Sequence, residues 1–432
     1  MLLLAAVLAC RPAAAETVLR DTEIETDIKT MAAPIWRAAG LDPGDVAVYM
    51  VKDNALNSFV AGGQAIFLNT GLLLRAETPN ELIGVIAHET GHIAGGHVLR
   101  AAEAMKNASI EAIIATVIGA AAGVVGHNGA PIFGGLGVGA RSFLSFSVAQ
   151  EATADHAALN YLDRTCQSAR GLLRFFEIVE ADEMLSGDRQ DPWARTHPLT
   201  QDRIRYLREH VERARCSNAQ DSAANIALLH RIKVKLLAFL DDPQKTLAAF
   251  PASDQSALAR YARAIAYYRI PQLDKALATI DGLIRDDPKN PYYRELKGQM
   301  LFENGRVREA VAPYEEAVRL MPSAPLLRIA LAQVYIETND PALDKRAIAY
   351  LNDAARSEGR DGTVWRFLAI AYGRDNQIGM AALSLAEKAL ADGKKRDAIQ
   401  QAQRAKQLLP KNTPPWFRAD DIAREAERLD DR

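Results

Sequence analysis

The stretch VIAHETGHIAGGHVLR, residues 85–100, places three histidines and a glutamate close together. It is either a metal-binding helix or the polar face of an ordinary one, and the choice decides the fold around it. Leu82, Val85, Ile86 and Ile93 recur at helical spacing, and Thr78-Pro79 followed by Glu81 signals a helix start. A helix is therefore predicted over residues 79–100. On it His88 and His92 stand at i and i+4, so both imidazoles leave one face. Zinc takes nitrogen ligands in a tetrahedron, and this pair supplies two of its four positions. Glu89 leaves nearly the same face but cannot reach the same point, which suits it to take a proton from the attacking water. A third histidine ligand in HExxHxxGxxH would stand at position 98, where this chain has Val98. On a continuous helix His97 lies on the opposite side from His88 and reads as a polar surface residue.

A third ligand comes most simply from SVAQEATADHAALNYL, residues 147–162, a second amphipathic helix. Glu151 and Asp155 form another i, i+4 pair there. Glu151 can offer a carboxylate oxygen to the metal, and Asp155 can accept a hydrogen bond from a ligand imidazole and so fix its orientation. His156 faces elsewhere. Glu103 and Glu111 compete with Glu151 by spacing alone, and a solvated helix face accounts for both.

HETGH, EATAD about sixty residues on, and THPLTQDRI at 196–204 together resemble the gluzincin peptidases of the BepA, HtpX and CAAX-prenyl-protease superfamily. NSFVAGGQAIFLNTGLL (57–73) resembles that family's strand pair before the zinc helix, whose edge strand holds substrate extended. The resemblance spans roughly residues 40–210. It implies His88, His92 and Glu151 as ligands of one Zn2+ per chain, Glu89 as general base, and polypeptides as substrates. It also puts His197 on a loop over the metal with Arg203 buried nearby. The implied fold is a mostly helical α+β domain with a small sheet beside the HExxH helix. Pro198 suits a first helical turn, so His197 should sit on the loop entering that helix. From there it can fill the fourth metal position and close the site, or, like Arg203, help stabilise an oxyanion.

At the N-terminus, MLLLAAVLACRPAAAETVLR is an apolar run ending in Ala13-Ala14-Ala15. It reads as a signal peptide cut after Ala15, with lipoprotein acylation at Cys10 as the alternative. Export points to a periplasm, and there the two remaining cysteines, Cys166 and Cys216, are expected to pair. AIIATVIGAAAGVV (112–125) is too short to span a bilayer. It is expected to wall the cleft, to pack in the core, or to touch a membrane peripherally. Hydrophobic residues at 49%, charged residues at 25% and a formal charge of −2 describe an ordinary globular chain with no footprint for nucleic acid.

Beyond Cys216 a 34-residue period appears. Ala276 and Ala310, Pro288 and Pro322, and the series Tyr267, Leu301, Tyr335 all keep it. Three inserted residues near NDPALDKRA bring Tyr372 and Ala381 into line. Such a period means stacked helix pairs of the tetratricopeptide (TPR) kind, an all-α solenoid. The expected domains are a signal peptide (1–15), a zinc metallopeptidase (16–216) and a TPR array (217–432). The expected function is a periplasmic zinc endopeptidase in outer-membrane protein quality control, its TPR half docking on the assembly machinery. The rival is a TPR chaperone or adaptor whose zinc site is idle or structural.

Overall fold

The computed structural model describes residues 18–97, 148–186, 193 and 197–429. The expected signal peptide with Cys10, the apolar run 112–125, Glu103 and Glu111 lie outside these residues. The first half is built on strands β1 (Val18–Leu19), β2 (Ala47–Val51), β3 (Ser58–Ala61) and β4 (Ala65–Asn69), in the order β1-β2-β4-β3. β2 and β4 run parallel; the outer pairs are antiparallel. Alternation gives the sheet two buried faces. Val48, Met50, Ile66 and Leu68 face the main core with helices α1 (Thr22–Ala38), α2 (Thr70–Arg75) and α3 (Pro79–Ala94). Tyr49, Phe59 and Phe67 stack on the opposite face.

Helix α3 runs through the middle of this core, flanked by α4 (Val148–Arg164) and α5 (Arg170–Ser186). Its start follows the sequence: the Thr78 side chain accepts from the Glu81 N–H, and Pro79 fills the first turn. Its end does not. The helix stops at Ala94 rather than running to residue 100, because Gly96 turns left-handed (φ 67°). Gly96 then donates to Ile93 O and His97 to His92 O, the paired bonds of a Schellman stop. Gly-Gly after the last apolar residue was the available signal.

Helix α6 (Gln201–Arg213) closes the first half, with Thr200 as its cap. Pro198 therefore precedes the helix instead of opening it. Cys166, after α4, is bonded to Cys216, after α6. The bridge spans 50 residues, and loop closure of that size stabilises a fold by at most about 4 kcal/mol. Reduction should lower the unfolding temperature of the folded protein while leaving a Cys166→Ala/Cys216→Ala variant unchanged; equal melting with and without reductant would refute it.

Helix α7 (Ala223–Leu240) belongs to both halves. Leu229, Ile232 and Leu236 enter the first core, while Ala238 packs with the repeats. After the short α8 (Pro243–Ala249) come five helix pairs: α9 (Ala257–Arg269) with α10 (Leu273–Asp286), α11 (Pro291–Glu303) with α12 (Val307–Leu320), α13 (Pro325–Glu337) with α14 (Pro341–Glu358), α15 (Gly362–Arg374) with α16 (Ile378–Ala391), and α17 (Lys395–Leu408) with α18 (Pro414–Glu427). The inserted residues lengthen α14 to 18 residues, against 14 in α10 and α12. The described residues are mostly helical, with one small sheet beside α3.

The array curls back onto the first half. Arg20 bonds Glu358, Thr22 bonds Glu295, Tyr261 bonds Glu23, and Arg360 donates to Gly62 O at the β3–β4 turn. Lys235 is buried between Asp21 and Glu23 at 2.7 and 3.0 Å. A buried lysine survives only when paired in this way. Between these contacts a cavity of 880 Å³ remains, lined from both sides by Leu19, Met50, Phe239, Phe302, Ile329 and Phe367.

Candidate metal centre

The site begins with the close approach of α3 and α4. A Cβ on Gly91 would stand 2.7 Å from the Ala154 carbonyl oxygen, so glycine at this point of HETGH lets the backbones meet. That contact brings Glu151 under the two histidines of α3. His88 Nε2 and His92 Nε2 are 3.1 Å apart, and the Glu151 carboxylate reaches them at 3.4 and 3.3 Å. His197 arrives from the loop before α6, its Nδ1 3.1 Å from Glu151 Oε1 and 3.4 Å from His88 Nε2. Donor atoms of all four lie within 4.8 Å of one another, and every one of these side chains is fully buried. His156 is exposed on the far side of α4.

The surrounding charges suit a cation. Burial alone would raise Glu151, yet the His197, His88 and His92 imidazoles hold its carboxyl far below the usual range. Burial likewise opposes a charge on His88, but hydrogen bonds to Asp155 and Glu151 outweigh it and push its pKa up to about 9. The field that draws a proton onto His88 would favour a divalent ion there. Burial pushes His92 down to about 3, leaving it neutral, as a ligand imidazole must be. Three imidazoles and one carboxylate therefore fit a metal of borderline softness.

Behind the donors, Asp155 Oδ1 is 2.9 Å from His88 Nδ1. Burial favours the neutral acid, but Arg203 donates twice to Asp155, at 2.6 and 2.9 Å, and holds it ionised. Arg203 Nη1 also reaches Pro198 O at 2.9 Å and Glu151 Oε2 at 2.8 Å. Its guanidinium lies over Phe176 at 4.7 Å. Arg203 ties α4 to α6 and the loop before it. Glu89 stands beside the cluster, Oε1 3.6 Å from His197 Nε2, and its Oε2 is buried with no hydrogen bond among the described residues.

His97 changes most. The helix stop at Gly96 folds it back, so its Nδ1 lies 3.0 Å from His92 Nδ1 instead of facing away. It stays outside the donor set but orients a member of it, as Asp155 does for His88. Such partners typically contribute 10–100-fold in metal affinity. His97→Ala should weaken metal binding by about that factor in a chelator competition; unchanged affinity would remove His97 from the site. Trp193, stacked on His197 at 4.8 Å, was likewise not singled out from the sequence.

Residues 19–211 match the family model Peptidase family M48. The chain carries a peptidase M48 domain. Segments 244–291 and 261–325 match a tetratricopeptide repeat model, so the M48 domain is followed by TPR repeats. Beta-barrel assembly-enhancing protease of Yersinia pestis is 23% identical over 353 residues, which is 78% of this chain and 71% of that one. The protein of the same name from Escherichia coli (strain K12) is 22% identical over 332 residues, 74% of this chain and 66% of that one. Metalloprotease LoiP of the same strain is 29% identical over 191 residues, 44% of this chain and 72% of that one. The M48 domain makes this chain a metalloprotease and implies a metal cofactor, and the buried cluster of His88, His92, Glu151 and His197 is the candidate metal site.

Proposed function

We propose that this protein is a periplasmic, zinc-dependent endopeptidase acting on outer-membrane proteins during their assembly. The observation that carries the reading is the buried convergence of His88, His92, Glu151 and His197, with Glu89 beside them. Zinc is favoured over other ions because nitrogen-rich tetrahedral donor sets suit it. Bound there, the ion would polarise the scissile carbonyl and make water acidic enough to attack. Glu89 Oε2 takes the proton from that water and returns it to the leaving amine. Asp155 and Arg203 keep His88 in the right tautomer and orientation. β3, at the sheet edge beside α3, offers backbone groups with which an extended polypeptide pairs.

The compartment is supported by the Cys166–Cys216 bridge, which persists in an oxidising space. Among the described residues no helix is long and apolar enough to cross a membrane. The TPR array would receive the assembly machinery or the substrate, and the cavity between array and peptidase domain is the place it leaves open. One observation favours the rival, an idle or structural zinc site in a TPR adaptor: all four donors come from the chain, as in closed structural sites. Metal analysis of the mature protein, together with casein digestion before and after chelation, separates the two. Stoichiometric zinc without any chelator-sensitive digestion would end the peptidase reading.

A further inference from the structure

Glu89 has a partner that the proposed chemistry has not used. Ser58 opens β3 and is fully buried, and its Oγ donates to Glu89 Oε1 at 2.6 Å. A hydroxyl bonded to a carboxylate at this distance is charge-assisted and about twice as strong as a neutral pair. The end torsion of a glutamate is otherwise broad and two-fold. With Oε1 tied to Ser58, that rotation is stopped, and Oε2 is the oxygen left without a hydrogen bond among the described residues. The strand accounts for the aim. Phe59 and Ala61 belong to the outer face of the sheet and Val60 to the main core, so alternation turns Ser58 towards α3. Ser58 is the only hydroxyl in SFVA, an otherwise apolar strand, and a hydroxyl buried there needs an acceptor.

We propose that Ser58 is a positioning residue for Glu89, holding one carboxylate oxygen so that the other is aimed as the base. The proposal rests on the peptidase reading for its catalytic consequence. It places the holder of the base on the same edge strand that would receive substrate, so the reacting bond and the base share one register.

Ser58→Ala should lower kcat by about 10–100-fold, the cost typical of misplacing a catalytic group, while KM and metal content stay at the wild-type level. Ser58→Thr restores the hydroxyl on a residue suited to strands and should recover most of kcat. A loss carried by KM, or one that threonine does not relieve, would make Ser58 a packing residue and overturn the proposal. The contact itself is read without turnover by melting a double-mutant cycle. Ser58→Ala should lower Tm less in the Glu89→Gln background than in the wild type, since a neutral amide accepts the weaker bond. Additive shifts would overturn the proposal. An inactive wild type with non-additive melting would instead defeat the peptidase reading and leave the Ser58–Glu89 pairing standing.

Discussion

Glu89→Gln is expected to keep one metal ion per chain and lose proteolysis by about 10²–10⁴-fold, the range attributed to a positioned general base. The substitution preserves volume and a polar tip, and the amide oxygen can still accept from Ser58 Oγ. What disappears is the basic oxygen at Oε2, buried and without a hydrogen bond among the described residues. The donor set does not include Glu89, so metal content should not move. Metal analysis and digestion of an unfolded protein substrate, run side by side, check both halves. Digestion at the wild-type rate would place the base elsewhere.

His197→Ala is expected to raise basal proteolysis by about tenfold or more, with metal retained. His197 is fully buried, reaches Glu151 at 3.1 Å, stacks on Trp193, and accepts a place among four converging donors. Its backbone N–H is also bonded to Trp193 O at 2.8 Å, so imidazole and backbone are both tied in. A fourth protein donor excludes water from the position where the nucleophile belongs. Each 1.4 kcal/mol by which His197 favours the closed arrangement lowers the competent population tenfold, and its removal returns that factor. The oxyanion role predicts the opposite sign. Lower turnover with metal retained would end the gating reading, whereas loss of the metal would show His197 to be needed for holding it.

Two of the readings that came from the sequence rest on a period. The i, i+4 spacing places His88 with His92, and Glu151 with Asp155, on one helix face apiece, whatever surrounds the helix. The 34-residue repeat specifies stacked helix pairs because no pair buries its own apolar face. Export and cysteine parity raised the Cys166–Cys216 pairing, which the structure contains.

What lay beyond the sequence depends on where separate elements meet. His97 was read on the assumption that α3 continued, and one left-handed glycine reversed its direction. Arg203 was a nearby cation of open role until two carboxylates from α4 were found to occupy its donors. Ser58 carries no motif at all; only the packing of β3 on α3 sets its hydroxyl against Glu89. Nor does the repeat period reveal that the array folds back onto the peptidase domain, for that contact is made by Arg20 with Glu358 and by Glu23 with Tyr261, far apart in the chain. Local spacing determined which side chains share a face. Tertiary packing alone decided which faces share a point, because distance across the core is set by how closely backbones such as those at Gly91 and Ala154 can approach.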